Sequence, residues 1–475
     1  MKKTSLFGLG IAALMLFSSV VTADTAAPAA APAAATATAA APAATPAAAP
    51  AASATPAAPA AAAPAPTINT GDTAWLLISS ALVLLMTPGL ALFYGGLVRS
   101  KNALNMFMKS FIAMALVSVI WVVVGYSLAF TKGTPYIGNL DWAFLQGVGL
   151  APNTFYGATV PHQLFMIFQM MFAIITPALI SGSVAERMKF SSFVVFMTIW
   201  SVVVYSPLAH MVWGEGGYLR DLGALDFAGG TVVHISSGFS GLVLAILLGK
   251  RKISHNDDTR PHNLPFTLLG AALLWFGWFG FNAGSAIASN ELAVSAFVVT
   301  HIAAATAALT WVLIEWVMYK KSTALGLATG AVAGLVAITP ASGFVDPIGA
   351  LAIGFGVSVV CLFGIRLKHA FGYDDSLDAF GVHGLGGAFG AVATGLFATK
   401  AVNSAGADGL FYNGGTELLV KQLIGVGVAI AVAVIGTLII ASIIKVIMGL
   451  RVDQEEEQAG LDLNQHGEMA YSRLT

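Results

Sequence analysis

From Asp72 to the end of the chain, long apolar segments alternate with short polar breaks, and this alternation constrains the fold more than any other feature. A hydrocarbon core of roughly 30 Å takes about 20 residues of helix per crossing, and backbone amides and carbonyls inside it must find partners within the protein. Eleven segments meet that length, at about 74–98, 104–130, 162–184, 191–210, 229–249, 264–287, 292–319, 324–340, 348–366, 380–398 and 418–448. Composition agrees, because 57% of residues are hydrophobic and 9% charged, where a soluble domain has roughly 25% charged. The pattern predicts an all-α polytopic membrane protein with eleven transmembrane helices, embedded in a lipid bilayer.

Net charge is −1, so no global field attracts nucleic acid and only the position of charge informs. Cytoplasmic loops are enriched in Lys and Arg. With a translocated N-terminus, the odd-numbered loops and the C-terminal side hold sixteen basic residues, among them Arg99, Arg187, Arg251, Lys368 and Arg451. Four, namely Lys132, Arg220, Lys400 and Lys421, fall on the other side. The expected topology is N-terminus out and C-terminus in, at the cell inner membrane.

Ahead of the first crossing, Lys2 and Lys3, an apolar run and Val21-Thr22-Ala23 read as a signal peptide over 1–23. Residues 24–70 read as an Ala/Pro-rich disordered extracytoplasmic linker, because Pro is too dense for helix and no side chain is large enough to build a core. The eleven-helix domain is expected over 71–450 and a cytoplasmic C-terminal tail over 451–475. The single Cys361 lies in an apolar run and reads as core.

Two motifs recur five helices apart. Ile175-Thr176-Pro177-Ala178 returns as Ile338-Thr339-Pro340-Ala341, and Val233-His234 with Gly238 and Gly241 returns as Val382-His383 with Gly387 and Gly390. A five-plus-five inverted repeat with one final helix accounts for both, and repeats of that kind place solute sites near the midplane. His234 and His383 lie at matching depths, roughly 24 to 26 Å from the flanking Lys250 and Lys400. An ionisable residue so deep is a functional candidate by default, although a lone histidine there more often joins helices through a backbone carbonyl. Matching positions in the two repeats favour a shared solute path. Neutral imidazole both donates and accepts, and its ordinary pKa of about 6.5 suits proton transfer.

The stretches PGLALFYGGLVR (88–99), AHMVWG (209–214), GALDFAGGTVVHI (223–235), PHNLPF (261–266), GWFGFNAGSA (277–286), FGVHG (380–384) and the tail GLRV with GLDLNQHGE closely resemble bacterial members of the ammonium transporter family (Amt/Mep/Rh). The resemblance implies a homotrimer with one conduction path per subunit and no cofactor. It implies ammonium recruitment by Phe172, Trp213 and Ser285, a gate of Phe172 and Phe281, and a pore lined by His234 and His383. Asp226 would support the outer site structurally, and a cytoplasmic PII signalling protein would dock on the inner face. The Ala/Pro-rich extension departs from the usual bacterial pattern. Composition alone would make Phe172 a packing residue, Trp213 an interfacial anchor and Asp226 an N-cap for the amides of 229–233.

Ammonium is a small cation with four donors, so a site for it needs electron-rich faces and an acceptor. Cation–π attraction is worth about 0.5–2 kcal/mol and a charge at the bilayer centre costs at least about 2.5–3.5 kcal/mol. Recruitment alone therefore does not carry the cation through, and the expected course is deprotonation below the phenylalanines, with ammonia and a relayed proton crossing separately.

Three other readings stand beside transport. Gly238-Phe239-Ser240-Gly241 fits the GxSG pattern of rhomboid-like proteases, but His234 is about 240° around the helix from Ser240, so no enzyme is expected. An ammonium sensor signalling through the tail is the main alternative. His255, His262, Asp257 and Asp258 read as a solvated loop and not a metal site, and no nucleotide motif occurs.

Overall fold

The computed structural model describes residues 67–252 and 260–471. The expected signal peptide and all but the end of the Ala/Pro-rich linker lie outside the described residues, as do His255, Asp257 and Asp258. Among the described residues, ten helical stretches are long and apolar enough to cross a membrane: α1 Thr70–Leu97, α2 Ser100–Phe130, α3 His162–Val184, α4 Phe190–Leu222, α5 Gly230–Leu248, α6 Leu264–Ala286, α7 Glu291–Tyr319, α9 Pro347–Phe371, α10 Phe380–Phe397 and α11 Glu417–Ile447. Between α7 and α9 lies the shorter apolar helix α8, Ala324–Ile338. Each segment expected from the sequence is therefore a helix, although α8 at about 1.5 Å per residue is shorter than a bilayer core.

Local chemistry explains where the boundaries moved. Asn69 Oδ1 accepts the Asp72 amide at 3.1 Å, which starts α1 four residues earlier than hydropathy suggests. Pro340 has no N–H to continue α8, and the Thr339 amide turns to Val336 O in a tightened last turn. The second and fourth helices contain π-helical turns at Trp121–Gly125 and Ser201–Tyr205. A short hairpin, β1 Pro152–Asn153 and β2 Gly157–Pro161, interrupts the connection from α2 to α3. Hydropathy gave no sign of it.

The repeat is visible as a reciprocal seam. A Cβ on Gly238, four residues after His234, would lie 3.0 Å from the His383 carbonyl carbon. One on Gly387, four residues after His383, would lie 2.8 Å from His234 Cβ. Three residues further on, Gly241 faces Ser183 at the end of α3, and Gly390 faces Ala337 at the end of α8. The histidines exchange places residue for residue, and the α3 and α8 contacts exchange at the level of whole helices. The Thr-Pro echo behaves likewise: Thr176 donates its hydroxyl proton to Phe172 O at 2.6 Å, and Thr339 donates to Leu335 O at 2.7 Å.

One end of the bundle gathers the basic loops. Glu186 takes Arg99 Nε at 3.0 Å on one oxygen and Arg251 Nη1 at 3.0 Å on the other, and Arg251 Nε reaches Asp374 at 2.9 Å. Polar composition gives the tail a solvated end as its plain reading, and here the structure differs. Helices α12 (Gln454–Ala459) and α13 (Leu461–His466) lie against these loops. Glu457 is fully buried on Arg451 at 2.7 Å, while Asp462 accepts the amides of Leu104 and Asn105. Each acid finds a dedicated donor, which compensates its removal from water.

Candidate functional site

Asp226 organises one end of the site. Its Oδ1 accepts the amides of Gly229 and Gly230 at 2.8 Å, and its Oδ2 accepts Thr231 at 2.7 Å and Val232 at 3.3 Å. Four orphan donors at the start of α5 are thereby satisfied by one carboxylate, as an N-cap acid is expected to do. Gly229 holds φ +116°, a conformation that disfavours any side chain, and it also faces the Trp213 ring. Trp213 Nε1 donates to Asp226 O at 2.9 Å, so the capped turn fixes the indole.

Inward from Trp213 runs a file of rings. Trp213 and Phe172 meet edge to face with centroids 6.2 Å apart, and Phe172 and Phe281 approach to 4.2 Å. Phe281 lies over His234 at 6.1 Å, and His234 lies 5.3 Å from His383. Phe172, Phe281, His234 and His383 are all buried, whereas Trp213 and Ser285 are partly exposed. The Ser285 hydroxyl donates to Phe281 O at 2.8 Å, which leaves its oxygen lone pairs free to accept.

The two histidines meet Nδ1 to Nδ1 at 3.3 Å. Each sits in a π-helical turn, Gly230–Ile235 in one case and Phe380–Gly384 in the other, and π-turns are frequent at functional sites. Met86, Leu90, Ile175, Leu179, Leu274 and Val332 complete a lumen around them with room for about one water-sized molecule. Beyond His383 the lumen is followed by a chamber of about 310 Å³ bordered by Arg251, Ser376 and Asp378. Burial pushes the Asp378 carboxyl up to about 6 despite the neighbouring Lys368 ammonium. Burial would also raise Asp374 and Glu186, but the adjoining arginines outweigh it. Asp374 falls to about 2, and Glu186 is held below its ordinary value.

The structure brings the seven residues singled out from the sequence together: rings run from Trp213 through Phe172 and Phe281 to His234 and His383, Asp226 holds Trp213, and Ser285 bonds Phe281 O. Sequence reasoning missed three that join them. Phe168 meets Phe172 at 5.0 Å, Trp278 stacks on His234 at 5.5 Å, and Thr339 lies 3.4 Å from His234 Nε2. Thr339 carried a signal as part of the recurring Thr-Pro pair, but only as a marker of the repeat. The other candidates resolve differently. Ser240 is buried and takes Trp200 Nε1 at 3.0 Å and the Thr437 hydroxyl at 2.8 Å. His262 joins Val98 O to the Tyr471 hydroxyl. No cluster of three metal-ligating side chains occurs among the described residues.

Comparison with known proteins places the chain in a family. The family model described as Ammonium Transporter Family matches residues 74–471. An ammonium transporter of Bacillus subtilis is 55% identical over 402 residues, covering 84% of this chain and 98% of that protein. Among solved structures, Mep2 of Saccharomyces cerevisiae superposes with a TM-score of 0.78 at 37% identity, over 86% of this chain and 93% of its own. A structure titled Sensor Amt Protein gives a TM-score of 0.76 at 30% identity, over 83% and 98%. The chain belongs to the ammonium transporter family and is a multi-pass membrane protein.

Proposed function

We propose that this member of the ammonium transporter family carries ammonium inward across the inner membrane. Phe172, Trp213 and Ser285 recruit the cation, Phe172 and Phe281 gate it, and ammonia passes His234 and His383 while the histidine pair relays the proton. The observation that carries the reading is the unbroken file of rings. Electron-rich faces and one free hydroxyl acceptor stand at the rim, and two titratable rings sit in an apolar lumen with room for about one water-sized molecule. A cation loses its hydration in such a lumen without gaining a carboxylate in return, so neutral ammonia is the species that fits. Asp226, engaged by four amides, acts as support and not as a proton acceptor.

The test is a solid-supported-membrane current from purified protein in proteoliposomes after an ammonium jump. Ammonium-specific current with none for potassium at equal ionic strength is the expected result, and equal responses to both ions sink the reading.

A second reading, an ammonium sensor signalling through the tail, is favoured by the likeness to the Sensor Amt Protein structure and by a docked α12–α13. Transport is preferred because the path continues past the histidines into an inner chamber, which a binding site alone does not need. The basic loops and tail share one end, which fits a cytoplasmic face on which a PII signalling protein docks. The homotrimeric assembly expected of the family belongs to the same proposal.

A further inference from the structure

We propose that Thr339 is a positioning residue that sets the tautomers of the histidine pair, so that neutral His234 carries its proton on Nε2 and His383 carries its proton on Nδ1. Each atom around the Thr339 hydroxyl has one permitted role. The helical partner of Leu335 O, the Thr339 amide, is turned to Val336 O at 3.3 Å, and the hydroxyl replaces it by donating to Leu335 O at 2.7 Å. Turning that proton elsewhere would leave a buried carbonyl unpaired, which costs more than the bond returns. Trp278 Nε1 is a donor only, and it occupies one lone pair of Thr339 Oγ1 at 2.9 Å. What remains for His234 Nε2, at 3.4 Å, is the second lone pair.

A lone pair facing a bare ring nitrogen is repulsive, so His234 Nε2 bears hydrogen. Its Nδ1 is then the acceptor in the 3.3 Å contact with His383 Nδ1, which must be the donor. The remaining acceptor of the pair is His383 Nε2, for which there is no protein partner among the described residues. His383 also borders the inner chamber, whereas His234 does not. The free acceptor thus belongs to the histidine on the inner side. The consequence for relay rests on the transport reading, while the tautomer assignment does not.

Nitrogen-15 solid-state NMR of the full chain in proteoliposomes at pH 8 tests this. Of nine histidines, only His234 and His383 follow valine, so carbonyl-13C valine with 15N histidine selects the pair. The wild type is expected to give N–H at Nε2 of His234 and at Nδ1 of His383. Thr339→Val should raise the minor tautomer by about fivefold, the ratio that one lost hydrogen bond supports, and Thr339→Ser should restore the wild-type spectrum. Trp278→Phe should leave the tautomers unchanged, because Leu335 O still holds the hydroxyl proton, which separates tautomer control from general loosening of this corner. A wild-type His234 protonated on Nδ1, or a Thr339→Val spectrum like the wild type, overturns the assignment. If the spectrum is as expected but ammonium current is absent, the transport reading fails and the tautomer assignment stands.

Discussion

The charged end of the bundle and the histidine pair place buried titratable groups under opposite regimes. At the charged end Glu186 receives two guanidiniums and an amide side chain, and Glu457 takes bonds from Arg451 and the Lys252 amide. Along the ring file, the His234 side chain has as hydrogen-bond partners one threonine oxygen and the His383 ring. Redundant partners lock charges in place and hold loops together. Sparse partners leave a group free to exchange a proton with whatever passes. On the proposed relay, the same protein uses abundance of hydrogen bonds for structure and scarcity for conduction.

Removing the centre of the charged end should have the largest effect. Glu186→Ala leaves Arg99 and Arg251 without their shared carboxylate, and truncating one partner of a buried pair costs about 3–5 kcal/mol. Thermal unfolding in detergent should show a clear drop in Tm; an unchanged Tm would mean the network is not what holds these loops.

The pore should answer in rate and not in stability. His234→Ala or His383→Ala should cut ammonium current at least tenfold, about 1.4 kcal/mol of barrier, with Tm close to wild type. Full current in either variant refutes the relay.

Acid sharpens the contrast. Asp374 is held at about 2 by Arg251 against burial, below the ordinary carboxylate value of about 3.9. A depressed carboxylate stabilises the fold above its unfolded pKa and loses that contribution as pH falls through the folded one. Stability of about 1–2 kcal/mol, discounted for partial exposure, should therefore vanish between about pH 4 and pH 2, and Asp374→Asn should flatten that limb of a Tm-against-pH curve.

The smallest effect is expected at the rim. Ser285→Ala removes one hydroxyl acceptor, worth about 1 kcal/mol. Half-saturation for ammonium should rise by about fivefold with maximal current little changed, and no change would assign recruitment to the rings alone.

The two regions also differ in how far sequence exposes them. His234 and His383 stand out because imidazoles are rare in apolar helices, and Asp226 is legible from the glycines it precedes. The helices were legible because period and length are local properties, and their ends moved where a single cap or proline decided. The Glu186 and Glu457 network was not legible. Arginines and glutamates in loops read as solvated until Arg251, Asp374 and Glu457, separated by up to 206 positions, are brought together by the fold. Thr339 and Trp278 stayed hidden for another reason: a threonine or tryptophan in a membrane helix is ordinary, and only the distance to His234 gives it meaning.

The reciprocal glycine seam has a consequence for anyone recombining this protein with its relatives. Gly238 presses on the opposite half at His383, and Gly387 presses back at His234, so the halves are cut as lock and counter-lock. A chimera joined between α5 and α6 inherits one side of that fit from each parent. It will assemble only where both donors keep a bare backbone at all four seam positions, so the crossover map of the family is written in those glycines.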